Sequence, residues 1–154
     1  MCNPDESRAL HQYKQMFAIT NGTSKCKEFL QNQPKTMYWN TSKHCCSWDG
    51  VTCNNITGHV IGLDLSCSQL SGTIQPNSSL IYLSYLQKLN LASNDLSGPY
   101  ILRDVSMLKS LKYLNLSDNY FWNVIPGIPH FSNLTNCGFF PLQVQICLQS
   151  CPSV

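Results

Sequence analysis

Y-W-N-T-S-K-H-C-C-S-W-D-G-V-T-C-N-N-I-T-G-H-V-I-G-L-D-L-S-C-S-Q-L, residues 38–70, is the stretch on which the fold turns. Its first half packs Cys45, Cys46 and Cys53 among Trp39 and Trp48. Those aromatic groups are large enough to fill a small module whose cross-links replace an extended core. Asp49-Gly50 signals a turn, Val51-Thr52-Cys53 a short strand, and N-I-T-G-H at 55–59 a second turn, which together predict a hairpin. The second half, Val60-x-x-Leu63-x-Leu65, begins a leucine-spaced strand, so a cysteine-rich cap leads directly into the first rung of a repeat.

Downstream the rung recurs. The template L-x-x-L-x-L-x-x-N-x-L-x-G is met loosely by Val60, Leu63, Leu65, Ser68, Leu70, Gly72 and Ile74. It is met in full by Leu86, Leu89, Leu91, Asn94, Leu96 and Gly98, and nearly so by Leu111, Leu114, Leu116, Asn119 and Phe121 with Ile125-Pro126. A fourth start, Phe131-Ser132-Asn133-Leu134, fails, because Cys137, Phe139 and Leu142 stand where leucines and an asparagine should follow. Leu65, Leu91 and Leu116 recur at steps of 26 and 25 residues, a period that identifies a solenoid. Leucines at alternate strand positions point into one core, and each rung buries that core only against its neighbours. Asn94 and Asn119 fall where the chain leaves its strand, where a buried amide satisfies the backbone of adjacent turns. The expected organisation is a cap over 1–59, about three repeats over 60–136 and a divergent tail over 137–154 holding Cys137, Cys147 and Cys151.

Upstream, Pro4-Asp5-Glu6-Ser7 reads as a helix start, and Leu10, Tyr13, Met16 and Phe17 continue at helical spacing, predicting a helix from Glu6 to Ala18. Residues 20–37 read as a long loop tied down by Cys26.

Composition narrows the class. The 154 residues suffice for one ordinary domain. Only 12% are charged, the formal net charge is +2, and no basic run is interleaved with aromatics, which argues against nucleic acid as a partner. Nine cysteines mean metal ligation in a reducing compartment or disulfides in an oxidising one. Six N-x-S/T sequons, at Asn21, Asn40, Asn55, Asn77, Asn115 and Asn133, point to the oxidising one and to glycosylation. No apolar run is long enough to span a membrane. The opening M-C-N-P-D-E-S has no apolar signal core, from which we expect a removed signal segment or an incomplete gene product.

Catalytic readings find little support. His44 beside Cys45, with His59 and Asp64, offers the residue types of a Cys–His–Asp set, but adjacent residues rarely align for it. Cys45, Cys46, Cys53, Cys67 and His59 are the corresponding zinc candidates, though C-C-x6-C is not a common zinc spacing. No phosphate-binding glycine loop occurs. The expectation is a protein with no cofactor, no resident metal and no enzymatic activity. The residues between and just after the strand leucines, Asp64, Ser66, Gln87, Lys88, Asn90, Ala92, Lys112, Tyr113, Asn115 and Ser117, are expected on the concave, ligand-facing surface.

The combination of C-C-S-W-D-G-V-T-C, the V-I-G-L-D-L-S-C-S-Q-L-S-G segment at 60–72 and the repeats resembles the plant extracellular leucine-rich-repeat proteins. Residues 8 to about 120 are similar to the amino-terminal cap and first repeats of the tomato Cf-type receptor-like proteins. The resemblance implies an α/β fold: a disulfide-bonded cap of helix and hairpin followed by a right-handed leucine-rich-repeat solenoid. It also implies the pairs Cys2–Cys45, Cys46–Cys53 and Cys26–Cys67. It implies a non-catalytic interaction module outside the cell or at the plasma membrane. Its partners would be a protein or peptide ligand, pathogen-derived or endogenous, and a receptor-kinase co-receptor. The family carries many more repeats, an acidic juxtamembrane region and a membrane span, so the expectation is a truncated ectodomain. The alternatives are a small secreted inhibitor of a microbial cell-wall enzyme, like the polygalacturonase inhibitors, and a non-functional truncated paralogue.

Overall fold

A computed structural model describes residues 1–20, 26 and 33–121, together with the backbone of 138–139 and 145–147. The Ile125-Pro126 motif, the start at 131–134, the sequons at Asn21 and Asn133, and the pairing of Cys137, Cys147 and Cys151 lie outside those residues.

Helix α1 spans Pro4–Gln15. It begins two residues earlier than expected because Asn3 caps it, its side chain accepting from the Asp5 amide at 2.9 Å, and Pro4 occupies the first turn, where no amide is needed. It ends three residues early because Ala18–Ile19 forms strand β1 instead. Ala9, Leu10 and Tyr13 are buried, and Phe17 meets the Tyr13 ring edge-on at 5.0 Å between centroids.

A single 3₁₀ turn, Cys45–Ser47, precedes strand β2, Val51–Cys53. Strand β3, Val60–Asp64, returns antiparallel to β2 with Val51 opposite Leu63 and Thr52 opposite Gly62, which is the expected hairpin. The Asn54 side chain closes its turn by accepting from the amides of Ile56 and Thr57.

Each later rung then has the same course. Strand β4 (Leu70–Thr73) and a 3₁₀ turn (Ser79–Tyr82) lead to β5, Lys88–Asn90. Strand β6 (Asp95–Ser97) and helix α2 (Ile101–Ser106) lead to β7, Tyr113–Asn115. Strands β8, Gly138–Phe139, and β9, Gln145–Cys147, follow. The main sheet runs β2-β3-β5-β7-β9-β8, and β3, β5, β7 and β9 are parallel. A second sheet, β1-β4-β6, lies behind it, with β1 antiparallel to β4 and β4 parallel to β6. Parallel neighbours joined through a second layer wind right-handed.

The leucines occupy the space between these layers. Leu63, Leu65, Leu89, Leu91, Leu114 and Leu116 point in from the main sheet; Leu70, Ile74, Leu80, Leu83, Leu86, Leu96 and Ile101 come from the other walls. Full burial of one such side chain contributes about 1.5–3 kcal/mol, so the rungs hold together only as a stack.

The cap closes the open end. Strand β2 covers the edge of β3 that would otherwise be free to pair with another chain. Buried Glu6 accepts from the Val60 amide at 2.9 Å, with its other oxygen 3.3 Å from His59 Nδ1. Ser79 donates its hydroxyl to the Ala9 carbonyl at 2.7 Å. Cys2 is bonded to Cys45, Cys46 to Cys53 and Cys26 to Cys67.

Candidate functional site: the concave face of the main sheet

Register fixes what this face presents. Gly62, Lys88 and Tyr113 align across β3, β5 and β7, and two residues further along the strands so do Asp64, Asn90 and Asn115. Period-two alternation turns both rows away from the leucines. Lys88 and Asp64 are exposed and Tyr113, Asn90 and Asn115 half-buried.

The second row does more than face solvent. The Asp64 carboxylate accepts from the amide of Ser66 at 2.9 Å and its hydroxyl at 2.6 Å. Asn90 accepts from the Ala92 amide at 3.1 Å, and Asn115 from the Ser117 amide and hydroxyl at 3.0 and 2.8 Å. Each side chain pins the backbone two residues on as the chain leaves its strand, an Asx turn repeated rung after rung. Ser66 is half-buried, whereas Ala92 and Ser117 are 7% and 5% exposed. Ala92 and Ser117 therefore do not stand on a ligand surface as expected, because the turn folds them inward. Gln87 and Lys112 also depart from the expectation. They precede their strands by one residue, in phase with the leucines, and so border the face.

Lys35 is a member that sequence reading missed, since it lies in the irregular lead-in. Its ammonium reaches the first rung, 2.9 Å from Asp64 and 3.3 Å from the Ser66 hydroxyl. Burial alone would raise the Asp64 carboxyl; the hydrogen bonds from Lys35 and Ser66, with the lysine charge, outweigh it and hold it below its ordinary 3.8. Thr52, which closes over Gly62 from β2, was also missed. Among the described residues Lys88 and Lys112 have no ion-pair partner.

The remaining candidates are committed to architecture. Trp39 and Trp48 stack on each other at 5.1 Å and 19°, both buried. Their indole N–H groups donate to the Asp49 and Asn40 carbonyls at 2.9 and 3.1 Å. The Cys–His–Asp set is not assembled: Cys45 sulfur is in a cystine, exposed His44 begins the 3₁₀ turn, His59 stacks on Tyr85 at 3.9 Å and Asp64 holds Lys35. The expected zinc set is divided, with Cys67 bonded to Cys26 and His59 beside Glu6. The four sulfurs that do converge, of Cys2, Cys45, Cys46 and Cys53, lie within 4.8 Å of one another as two cystines. Burial and, after it, the charge of Asp104 push the Tyr13 phenol well above its ordinary 10.0. Among the described residues no helix is long and apolar enough to cross a membrane.

Residues 25–54 match the leucine rich repeat N-terminal domain and residues 110–134 the leucine rich repeat. The chain is 44% identical over 140 residues to receptor-like protein 9DC1 of Solanum pimpinellifolium, covering 87% of this chain and 16% of that one. It is 45% identical over 107 residues to receptor-like protein Cf-9 of the same species, covering 66% and 12%. The chain thus spans less than a fifth of the length of these relatives. The BIR2 ectodomain of Arabidopsis thaliana superposes with a TM-score of 0.59 at 32% identity, covering 79% of this chain and 58% of that one. The Arabidopsis receptor kinase HAESA, solved in complex with the peptide hormone IDA and the co-receptor SERK1, gives 0.53 at 25% identity, covering 77% and 18%.

Proposed function

For a chain that carries the amino-terminal cap and first repeats of the plant extracellular leucine-rich-repeat receptor-like proteins, we propose a non-catalytic docking role in defence perception outside the cell. Residues 1–59 would serve as the cap and 60–136 as the docking solenoid, with 137–154 a separate tail. The ligand would be a protein or peptide of pathogen origin, and a receptor-kinase co-receptor would join it, in the way that HAESA is found with a peptide and a co-receptor. The observation that carries this reading is the division of labour on the main sheet. The inward rows are leucine, the second outward row is occupied by its own turns, and the first row presents exposed Lys88 and half-buried Tyr113 beside exposed Thr52, which covers Gly62. Such a surface offers contact area and charge, and among the described residues it pairs no nucleophile with a base.

The test is direct binding of the oxidised full chain to a panel of secreted pathogen peptides and to a co-receptor ectodomain. Lys88→Glu and Thr52→Lys serve as face variants and Tyr82→Ala, exposed on the 3₁₀ turn outside the main sheet, as control. Binding abolished by the face variants alone supports the reading. Binding indifferent to them, or potent inhibition of a polygalacturonase by the chain, overturns it.

A further inference from the structure

The three equivalent segments Asp64-Leu65-Ser66, Asn90-Leu91-Ala92 and Asn115-Leu116-Ser117 occupy the same place in successive rungs. All three make the same turn, in which the side-chain oxygen at the first position accepts from the amide at the third. They differ in chemistry. The first has a carboxylate, used by Lys35. The second has an amide but no hydroxyl at its third position. Only the third, N-L-S, is a sequon. We propose that Asn115 bears an N-linked glycan that stands on the concave face of the third rung and confines protein docking to the cap and the first two rungs, along Thr52 and Lys88. This rests on the extracellular docking reading above and specifies which part of that surface stays open.

The geometry favours attachment here. The two bonds that hold Asn115 in its turn both end on Oδ1, from the Ser117 amide and hydroxyl. Glycosylation takes place at the other atom. Nδ2 attacks the anomeric carbon of a lipid-pyrophosphate-linked oligosaccharide, the C–O bond to pyrophosphate breaks, the lipid pyrophosphate leaves and one amide proton is lost. The Oδ1 acceptor is untouched, so the modified residue keeps its place in the fold. The ladder asparagines are the contrast: Asn94 and Asn119 spend Nδ2 on backbone carbonyls, and neither lies in a sequon. Ser117 is buried, so transfer precedes closure of this rung. Asn40 shows the same arrangement on the cap, its Oδ1 accepting from the Ser42 amide and hydroxyl. The sugar on Asn115 would rise beside Tyr113, two residues back on the same face, and Asn90, its neighbour across the sheet.

The full chain, preceded by a cleavable secretory leader and produced in leaf tissue, is mapped by glycopeptide analysis with release in ¹⁸O water, which marks each formerly glycosylated asparagine as labelled aspartate. Label is expected at Asn115 as well as at the exposed turn residue Asn55. Label at Asn55 with none at Asn115, or none at either, overturns the proposal. Ser117→Ala is the safe variant, because the second rung already carries alanine at this place and keeps its turn. It should remove label from Asn115 and leave Asn55 unchanged. Hydroxyl-radical oxidation of Tyr113 should rise several-fold in Ser117→Ala relative to the glycosylated chain, with Tyr38 unaffected. Equal oxidation would mean that the glycan does not cover the face. A failure of partner binding, read separately, would count against the docking reading and leave the occupancy of Asn115 as measured.

Discussion

The Asn94 side-chain amide donates to the carbonyl of Leu65, 2.8 Å away and 29 residues earlier in the chain. The same group also donates to Leu91 and Ala92, and its oxygen accepts from the amides of Ser68 and Leu70. One buried residue thus closes its own turn and fastens the rung before it. Asn119 repeats the arrangement one rung on, donating to Leu91, Leu116 and Ser117 and accepting from Leu96, in a less buried setting.

Asn94→Ala should therefore cost about 3 kcal/mol, because it strands backbone groups that no water reaches, and Asn119→Ala distinctly less. Urea unfolding of the two variants measures this. An equal loss would show that the ladder does not depend on burial.

Gly50 sits at φ +79°, and a β-carbon there would fall 2.2 Å from the Asp64 carbonyl oxygen, which is backbone and cannot yield. Gly50→Ala should lower stability by about 2–4 kcal/mol through left-handed strain and that overlap. Gly62→Ala, with no positive φ and the Thr52 side chain 3.1 Å away, should cost far less. Paired thermal melts of the two variants would settle the order.

Tyr13 is buried, and among the described residues its hydroxyl has no hydrogen-bond partner. Tyr13→Phe should consequently be neutral or stabilising by about 1 kcal/mol at pH 7, since an unpaired buried hydroxyl is unfavourable. The raised phenol pKa adds a sign at high pH. The folded chain keeps the proton while the unfolded chain loses it, so stability is intact below the ordinary 10.0 and falls as pH rises beyond it. Loss of stability of the native chain between neutral and strongly alkaline pH should be smaller in Tyr13→Phe.

Asp64 acts at the other end of the scale. Its folded carboxyl lies below the ordinary 3.8, so its contribution is present above that value and disappears as pH falls through the lower, folded one. Lys35→Met should move the Asp64 titration, followed by carboxyl NMR, toward its ordinary position without fully restoring it, because the Ser66 bonds remain. A titration unchanged in Lys35→Met would remove the lysine from the site.

The three cystines close loops of very different size, with partners separated by 43, 41 and 7 residues for Cys2–Cys45, Cys26–Cys67 and Cys46–Cys53. Restriction of the unfolded chain predicts losses of about 4 kcal/mol for either long bridge and about 2 for the short one when both partners become serine. Guanidinium melts of the three double variants test that ranking.

The rungs were legible because leucine spacing is a local signal: alternate positions of one strand must share a face wherever the strand lies. The helix was legible and its ends were not, since Asn3 competes for the start and β4 draws Ala18–Ile19 into a sheet from more than fifty residues away. On the concave face, Lys88, Asn90, Tyr113 and Asn115 were found by counting from the leucines. The inward turn of Ala92 and Ser117 escaped that count, because it depends on side chains that bend back on their own backbone. Lys35 escaped for a different reason: nothing in an irregular lead-in indicates which rung it will reach.

The sequence by itself determined the repeat, the ladder asparagines and the capping module, because periodicity and cysteine density are properties of the chain read in order. Only the tertiary structure decided which outward groups remain available. That outcome depends on long-range register, which aligned Lys88 with Tyr113, and on Lys35 meeting Asp64 across 29 residues of chain.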